Sequence, residues 1–308
     1  MLRKSSCDAV ISRIVRKKIS VIAVTARMGC LDVLVHGLLN QTMPRSDFEV
    51  IIVDSCHRQR SEYVYGGALP DNFRYECLPD VTTSYDACFA NNFGLRLAKG
   101  ELIIFFSDLN WPEPRFLERH WQIYTNFPGY SMTGYCDRWP VPPLKSKLNW
   151  RDCWWSIFAD GSFTRSQAEA HFASHQPEYS ERKGGIKGAP VPNSPYFELP
   201  GDFFYGALNE SIPMTVLREL NGWCESYDGG YGSADIDLGT RANLIGWKFL
   251  IMPDSINAKF GTKSTSAHIP GVFKPITKSP EENYAHYQKQ MAAIRSGERS
   301  TKALIGAW

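Results

Sequence analysis

The chain has 308 residues, 43% hydrophobic and 13% aromatic, enough to bury a sizeable core as one large domain or two small ones. No stretch approaches the ~18 uncharged apolar residues of a membrane span, and the apolar run among Arg3, Lys4, Arg13, Arg16, Lys17 and Lys18 is too broken for a signal-peptide core. A formal net charge of +2 is too small to argue for a nucleic-acid partner, and the eight cysteines, scattered without a C-x-x-C pair, fit neither a zinc site nor a disulfide framework. A soluble cytoplasmic protein with reduced thiols is expected.

Ile19-Ser-Val-Ile-Ala-Val24 and Phe48-Glu-Val-Ile-Ile-Val53 are short β-branched runs of the kind that form buried parallel strands. Between them, Leu31, Leu34, Val35, Leu38 and Leu39 recur at helical spacing, predicting a helix over 30–41 and a strand, helix, strand unit. A right-handed crossover then brings both strand ends to one edge of a sheet. The pattern repeats with a helix over 85–97, a break at Gly100 and a strand Leu102-Ile-Ile-Phe-Phe106 that runs into Ser107-Asp108-Leu109-Asn110. Asp108 thus ends a strand, on the edge where open α/β sheets bind ligands. Pro112-Glu-Pro-Arg115 is expected to open the next helix.

From about 137 to 200 the texture changes to a large irregular insertion holding Trp139, Trp150, Trp154 and Trp155 and the glycine-flanked Lys183 and Lys187. Strand and helix texture returns over 203–219 and 247–252. Between these lies Ser226-Tyr-Asp-Gly-Gly-Tyr-Gly-Ser-Ala-Asp235-Ile-Asp237, a glycine-rich loop that delivers two carboxylates to the start of a helix ending at Gly246. The bland reading of those acids is electrostatic support of a helix N-terminus; the sharper one is a general base. Ser279-Pro-Glu-Glu282 predicts a capping box on a last helix.

Five landmarks in order carry a resemblance: Val21 to Arg27, Ile51-Ile-Val-Asp54, Asn92 to Glu101, Phe105-Phe-Ser-Asp108-Leu-Asn110 with Pro112-Glu-Pro114, and Gly232-Ser-Ala-Asp235-Ile-Asp237-Leu238. Over residues 19 to 262 the chain resembles the family 2 type of inverting glycosyltransferases. That resemblance implies an α/β fold of the GT-A (Rossmann-like) type, with a mixed, mostly parallel central sheet flanked by helices and a large irregular insertion. It also implies a single domain over 1–308, with a nucleotide-sugar-binding half (19–136), the insertion (137–200), an acceptor and catalytic half (201–262) and a C-terminal tail and helix (263–308).

In such enzymes Thr25, Ala26, Arg27, Asp54, Asn92, Ser107 and Asp108 would hold the nucleotide sugar, with UDP-sugar as the donor. An acceptor-only carboxylate at Asp54 suits hydroxyl and imide donors. Asp108 would carry Mn²⁺ or Mg²⁺, with Asn110 and His268 as further metal ligands, since these ions take hard oxygen donors. Ser107 and Asn110 stand where the family has carboxylates, a departure that bears on metal binding. In the acidic pair of the last landmark Ala234 replaces the first acid, and Asp235 keeps the second, the base that would deprotonate the acceptor hydroxyl. Asp237 is a second catalytic candidate, better suited to orienting the loop.

Trp223, Tyr227 and Tyr231 are acceptor-binding candidates, because aromatic faces stack on sugars and bases alike. The acceptor is a hydroxyl of unassigned class. A modified nucleic-acid base is a minority reading, resting on the insertion's tryptophans and on Arg138, Lys145, Lys147 and Arg151. The rivals are a non-catalytic sugar-nucleotide or glycan-binding module on the same fold, and a nucleotidyltransferase, against which the first loop lacks a glycine- and arginine-rich segment.

Overall fold

The computed structural model describes residues 17–25, 31–55, 69–78, 85–108, 110–139, 189–192, 194, 196–199, 209–260, 275–304 and 306–308, with the side chains of 32–33, 135–139, 189–190 and 252–260 excepted. Ala26, Arg27, His268, Lys183, Lys187 and most of the expected insertion lie outside the described residues.

Three parallel strands form the centre: β1 (Ile19–Thr25), β2 (Phe48–Asp54) and β4 (Leu102–Ser107), with β3 (Phe73–Cys77) beyond β2. Alternate residues of these strands face two separate cores. Ile22, Ile51, Val53, Ile103 and Phe105 join one, while Val21, Ala23, Val50, Ile52, Ile104 and Phe106 join the other. Burial on both faces is why the runs read as continuously apolar rather than alternating. The second core is closed by α1 (Leu31–Leu39) and α3 (Phe116–Asn126) through Leu34, Leu38, Phe116 and Leu117. The first is closed by α2 (Ala87–Leu97), α4 (Met214–Glu219) and α5 (Ala234–Leu244) through Leu95, Leu217 and Leu238. A Cβ on Gly94 would stand 2.6 Å from Ile22 Cγ2, so glycine lets α2 lie directly on β1.

The sheet continues past β4 through β9 (Glu210–Pro213), β6 (Tyr130–Trp139), β10 (Lys248–Phe260), β8 (Phe197–Leu199) and β7 (Ala189–Pro190). The long pairings are parallel and the short ones antiparallel. One sheet thus runs through both expected halves, and β7 and β8 draw the end of the expected insertion into it.

Two expectations are corrected. Pro112 does not open a helix: Asn110–Pro112 is β5, an antiparallel partner of β10, and α3 starts four residues later at Phe116. Tyr85 and Asp86 precede α2 instead of belonging to it. The last helix, α6 (Pro280–Arg295), carries the expected capping box between Ser279 and Glu282, and Gly246 takes the expected left-handed conformation with φ 88°.

Candidate functional site

The carboxyl ends of β1, β2 and β4 coincide, with Thr25 in register with Asp54 and Val24 with Ser107. Parallel register makes Thr25, Asp54, Ser107 and Asp108 neighbours on one edge. The Thr25 hydroxyl donates to Asp108 Oδ2 at 2.8 Å, and the Ser107 hydroxyl donates to Asn110 Oδ1 at 2.9 Å. Asp54 is fully buried and accepts from the hydroxyl of Tyr75, one strand further out. Sequence reasoning missed Tyr75, since a tyrosine in the polar-alternating strand Phe73-Arg-Tyr-Glu-Cys77 carries no sign of what it faces. Pairing of β5 with β10 brings the carboxyl end of β10 beside Asn110, in register with Lys259.

The segment bearing Asp235 reaches the same edge by climbing α2. A helix that follows a parallel strand starts at the carboxyl edge of the sheet, and three ties bind the segment along this helix. Asn92 in the middle of α2 exchanges hydrogen bonds with the backbone of Trp223, accepting from its N–H at 2.9 Å and donating to its carbonyl at 2.8 Å, and donates to Glu225. Higher up, the Asp228 carboxylate accepts from the N–H groups of Cys88 at 2.8 Å and Phe89 at 2.9 Å, capping α2 from across the fold. Gly229 then donates to the Tyr85 carbonyl at 2.6 Å. Burial pushes the Asp228 carboxyl up to about 7 against the pull of those two N–H groups. Asp228 was also missed, because Asp-Gly-Gly reads as a turn from sequence.

On its other side the loop is clamped by the start of α6. Thr277 and Lys278 donate to the Gly229 carbonyl, Lys278 Nζ donates to the Ser226 carbonyl at 2.7 Å, and Asn283 donates to the carbonyls of Tyr227 and Tyr231. A Cβ at Gly230 would fall 2.3 Å from the Lys278 carbonyl, so the two backbones touch. The loop ends at Ser233, a buried non-glycine residue at φ 67°, a left-handed conformation that costs about 1 kcal/mol. Strain of this kind persists only where the surroundings enforce it. It turns the chain so that α5 begins at Ala234.

The two acids of α5 part company. Asp235 is half-buried and accepts from the N–H of Ile236 at 3.0 Å. Asp237 is fully buried, with Arg241 Nε donating to it at 2.7 Å and Tyr227 and Gln290 donating to its other oxygen. Arg241 is equally buried and spends its remaining donors on the carbonyls of Leu220, Gly222 and Thr301. Asp237 therefore binds α5 to α4, α6 and the chain terminus, with both of its oxygens taken by donors of the fold.

Trp223 and Tyr227 lie in the core: Trp223 is 4% exposed with its ring edge-on to Phe105 at 5.2 Å, and Tyr227 is 1% exposed. Asn92 likewise supports the loop through Trp223 rather than lying open to a nucleotide. Tyr231 is different: half-buried, it meets the ring of Tyr85 at 4.5 Å.

Residues 21–172 match the family model described as glycosyl transferase family 2. The matched residues make up just under half of the chain, and over them the chain is similar to that family. The fold agrees: S. aureus TarS superposes with a TM-score of 0.52 at 13% identity, covering 90% of this chain and 39% of that one. TarS 1-349 in complex with UDP-GlcNAc gives 0.50 at 15% identity, covering 82% and 62%, and TarS 1-349 alone gives 0.50 at 17%, covering 79% and 60%. The chain thus spans between about two fifths and three fifths of the length of those structures. A comparison with curated protein sequences gives no match. Among the described residues no helix is long and apolar enough to cross a membrane, and no group of three or more His, Cys, Asp or Glu side chains could hold a metal ion.

Proposed function

We propose that this domain transfers a sugar from a nucleoside diphosphate donor to a hydroxyl acceptor with inversion, with Asp235 as general base. The observation that carries the reading is the tie of Asp228 to the start of α2, which holds the Asp235 loop on the sheet edge that also bears the Thr25 and Asp108 pair. A half-buried carboxylate there can take the acceptor proton as the hydroxyl attacks the anomeric carbon, and nucleoside diphosphate leaves from the opposite face. A UDP-sugar is the proposed donor, supported by the likeness to a TarS structure described as a complex with UDP-GlcNAc. Thr25, Asp54, Ser107 and Asp108 would line the nucleotide and diphosphate, with Ala26 and Arg27 completing that loop. A cytoplasmic location belongs to the same proposal.

The donor set at Asp108 fits a hard divalent cation: a buried carboxylate with a hydroxyl and an amide oxygen beside it. Asp108 would hold Mn²⁺ or Mg²⁺, and Asn110 would contribute its carbonyl oxygen. When bound, the ion neutralises charge on the leaving diphosphate. A single carboxylate makes that site dependent on the donor's own phosphates, so metal and nucleotide are expected to bind together. His268 as a further ligand is part of the same proposal.

The test is nucleoside diphosphate release from a panel of UDP-sugars in the presence of Mn²⁺, by wild type and by Asp235→Asn. A non-catalytic binding module is the second reading, favoured by Ala234 and Ser107 at positions where acids are expected. It predicts donor binding without release by either protein.

A further inference from the structure

The turn between α4 and Trp223 takes a left-handed conformation, with φ 59° at Asn221 and 71° at Gly222. Asparagine adopts that conformation more readily than most residues other than glycine. The Asn221 side chain also fixes a strap formed by Thr301 to Leu304 and Gly306 to Trp308. Its Nδ2 donates to the Ala303 carbonyl at 2.9 Å and its Oδ1 accepts from the Trp308 N–H at 2.8 Å, while the Asn221 carbonyl accepts from the Ala307 N–H at 2.9 Å. The strap lies tight on the turn. Ala303 and Ala307 are buried in the first core, and a Cβ on Gly306 would fall 1.9 Å from the Asn221 carbonyl oxygen.

Arg241 of α5 grips the same turn. Its Nη1 donates to the Leu220 carbonyl at 2.9 Å and its Nη2 to the Gly222 carbonyl at 3.0 Å, one on either side of Asn221, and Nη1 also reaches the Thr301 carbonyl of the strap at 3.3 Å. The guanidinium is fully buried, and Asp237 of the same helix accepts from its Nε at 2.7 Å. Where α5 sits is therefore set by where the Leu220 and Gly222 carbonyls point. Arg241 and Asp235 are separated by roughly 9 Å of rigid helix, so a shift at Arg241 is carried to Asp235. We propose that Asn221 is a positioning residue for sugar transfer, holding the turn and the strap on which the helix bearing Asp235 is seated. The proposal rests on Asp235 being the base.

Two variants of the full chain test this. Asn221→Gly keeps the left-handed turn and removes both side-chain bonds to the strap, while Gly306→Ala leaves Asn221 intact and pushes the strap off its carbonyl. UDP binding by calorimetry in Mn²⁺ should stay within about twofold of wild type, because Thr25, Asp54 and Asp108 are held by strand register and by bonds that do not involve the turn. UDP release from the most active member of the UDP-sugar panel should slow roughly ten- to a hundredfold. Amide hydrogen exchange should quicken in the strap and along α5 but not in β2. Leu304→Ala, on the strap but 74% exposed, should match wild type in all three measurements. If Gly306→Ala loses its folded circular dichroism, Asn221→Gly decides alone. Unchanged release, unchanged exchange along α5, or release that falls only in step with UDP affinity would overturn the proposal. If wild type itself releases no UDP the transferase reading fails, and exchange along α5 still decides whether Asn221 seats that helix.

Discussion

The Thr25 hydroxyl donates to the Asp108 carboxylate at 2.8 Å, joining the ends of β1 and β4 over 83 residues of sequence. Both groups are buried, so the bond fixes the carboxylate's orientation before any ligand arrives. Thr25→Val keeps the shape and removes the donor, leaving a buried carboxylate oxygen short of a partner at a cost of about 1 to 3 kcal/mol. Calorimetry should then show UDP-sugar binding in Mn²⁺ weakened about tenfold, with Thr25→Ser close to wild type. Unchanged affinity in the valine variant would separate Thr25 from the donor site.

Trp223 tests the boundary between core and acceptor surface. Its ring packs edge-on against Phe105, and its indole N–H has no hydrogen-bond partner among the described residues. Trp223→Ala should cost roughly 3 to 5 kcal/mol in urea unfolding. UDP-sugar binding measured well below the melting temperature should hold. Loss of that binding at full stability would show that Trp223 does more than fill the core.

The buried Asp237 and Arg241 pair should be asymmetric in its mutational cost. Asp237→Asn leaves an uncompensated buried guanidinium, worth about 3 to 5 kcal/mol. Arg241→Met removes that charge but strips a donor from the carbonyls of Leu220, Gly222 and Thr301 as well as from Asp237. It should therefore destabilise at least as much, and combining the two should not restore wild-type stability. Recovery in the double variant would show that Arg241 is not the link that holds these segments.

Much of this was legible in the sequence, and the parts that were not share a cause. The strands Ile19–Thr25, Phe48–Asp54 and Leu102–Ser107 announce themselves because burial on both faces demands continuous apolar residues, and Asp108 follows from where one of them stops. The strand Tyr130–Trp139 does not, since Tyr-Ser-Met-Thr-Gly is made a strand by pairing with β9 and β10. That Asp235 and Asp237 open a helix could be read, while the burial of Asp237, Trp223 and Tyr227 could not, because a helix start and an aromatic-rich loop look alike whether they face solvent or core. Asp228 and Tyr85 stayed hidden because their partners are far off in the chain and are mostly backbone groups.

His120 supplies a pH signature. It is fully buried in a neutral state, bonded to Ser211 at 2.8 Å and Asn209 at 2.9 Å, and burial pushes its pKa down to about 4. The ordinary histidine value near 6.5 applies in the unfolded chain, which takes up the proton first as pH falls. Stability from this group is full above about pH 6.5 and is lost towards pH 4, by on the order of 3 kcal/mol. Melting temperatures between pH 7 and 4.5 should fall more steeply for wild type than for His120→Gln. Equal slopes would show that His120 does not set the acid limit.

The central claim is that Asp235 removes the acceptor proton. Nucleoside diphosphate release by wild type and Asp235→Asn, each with its UDP-sugar affinity measured by calorimetry in Mn²⁺, addresses it most directly. The variant should bind donor as wild type does and release nucleotide about a hundred to ten thousandfold more slowly in the presence of acceptor. Equal release by the two proteins at equal donor affinity would contradict the assignment.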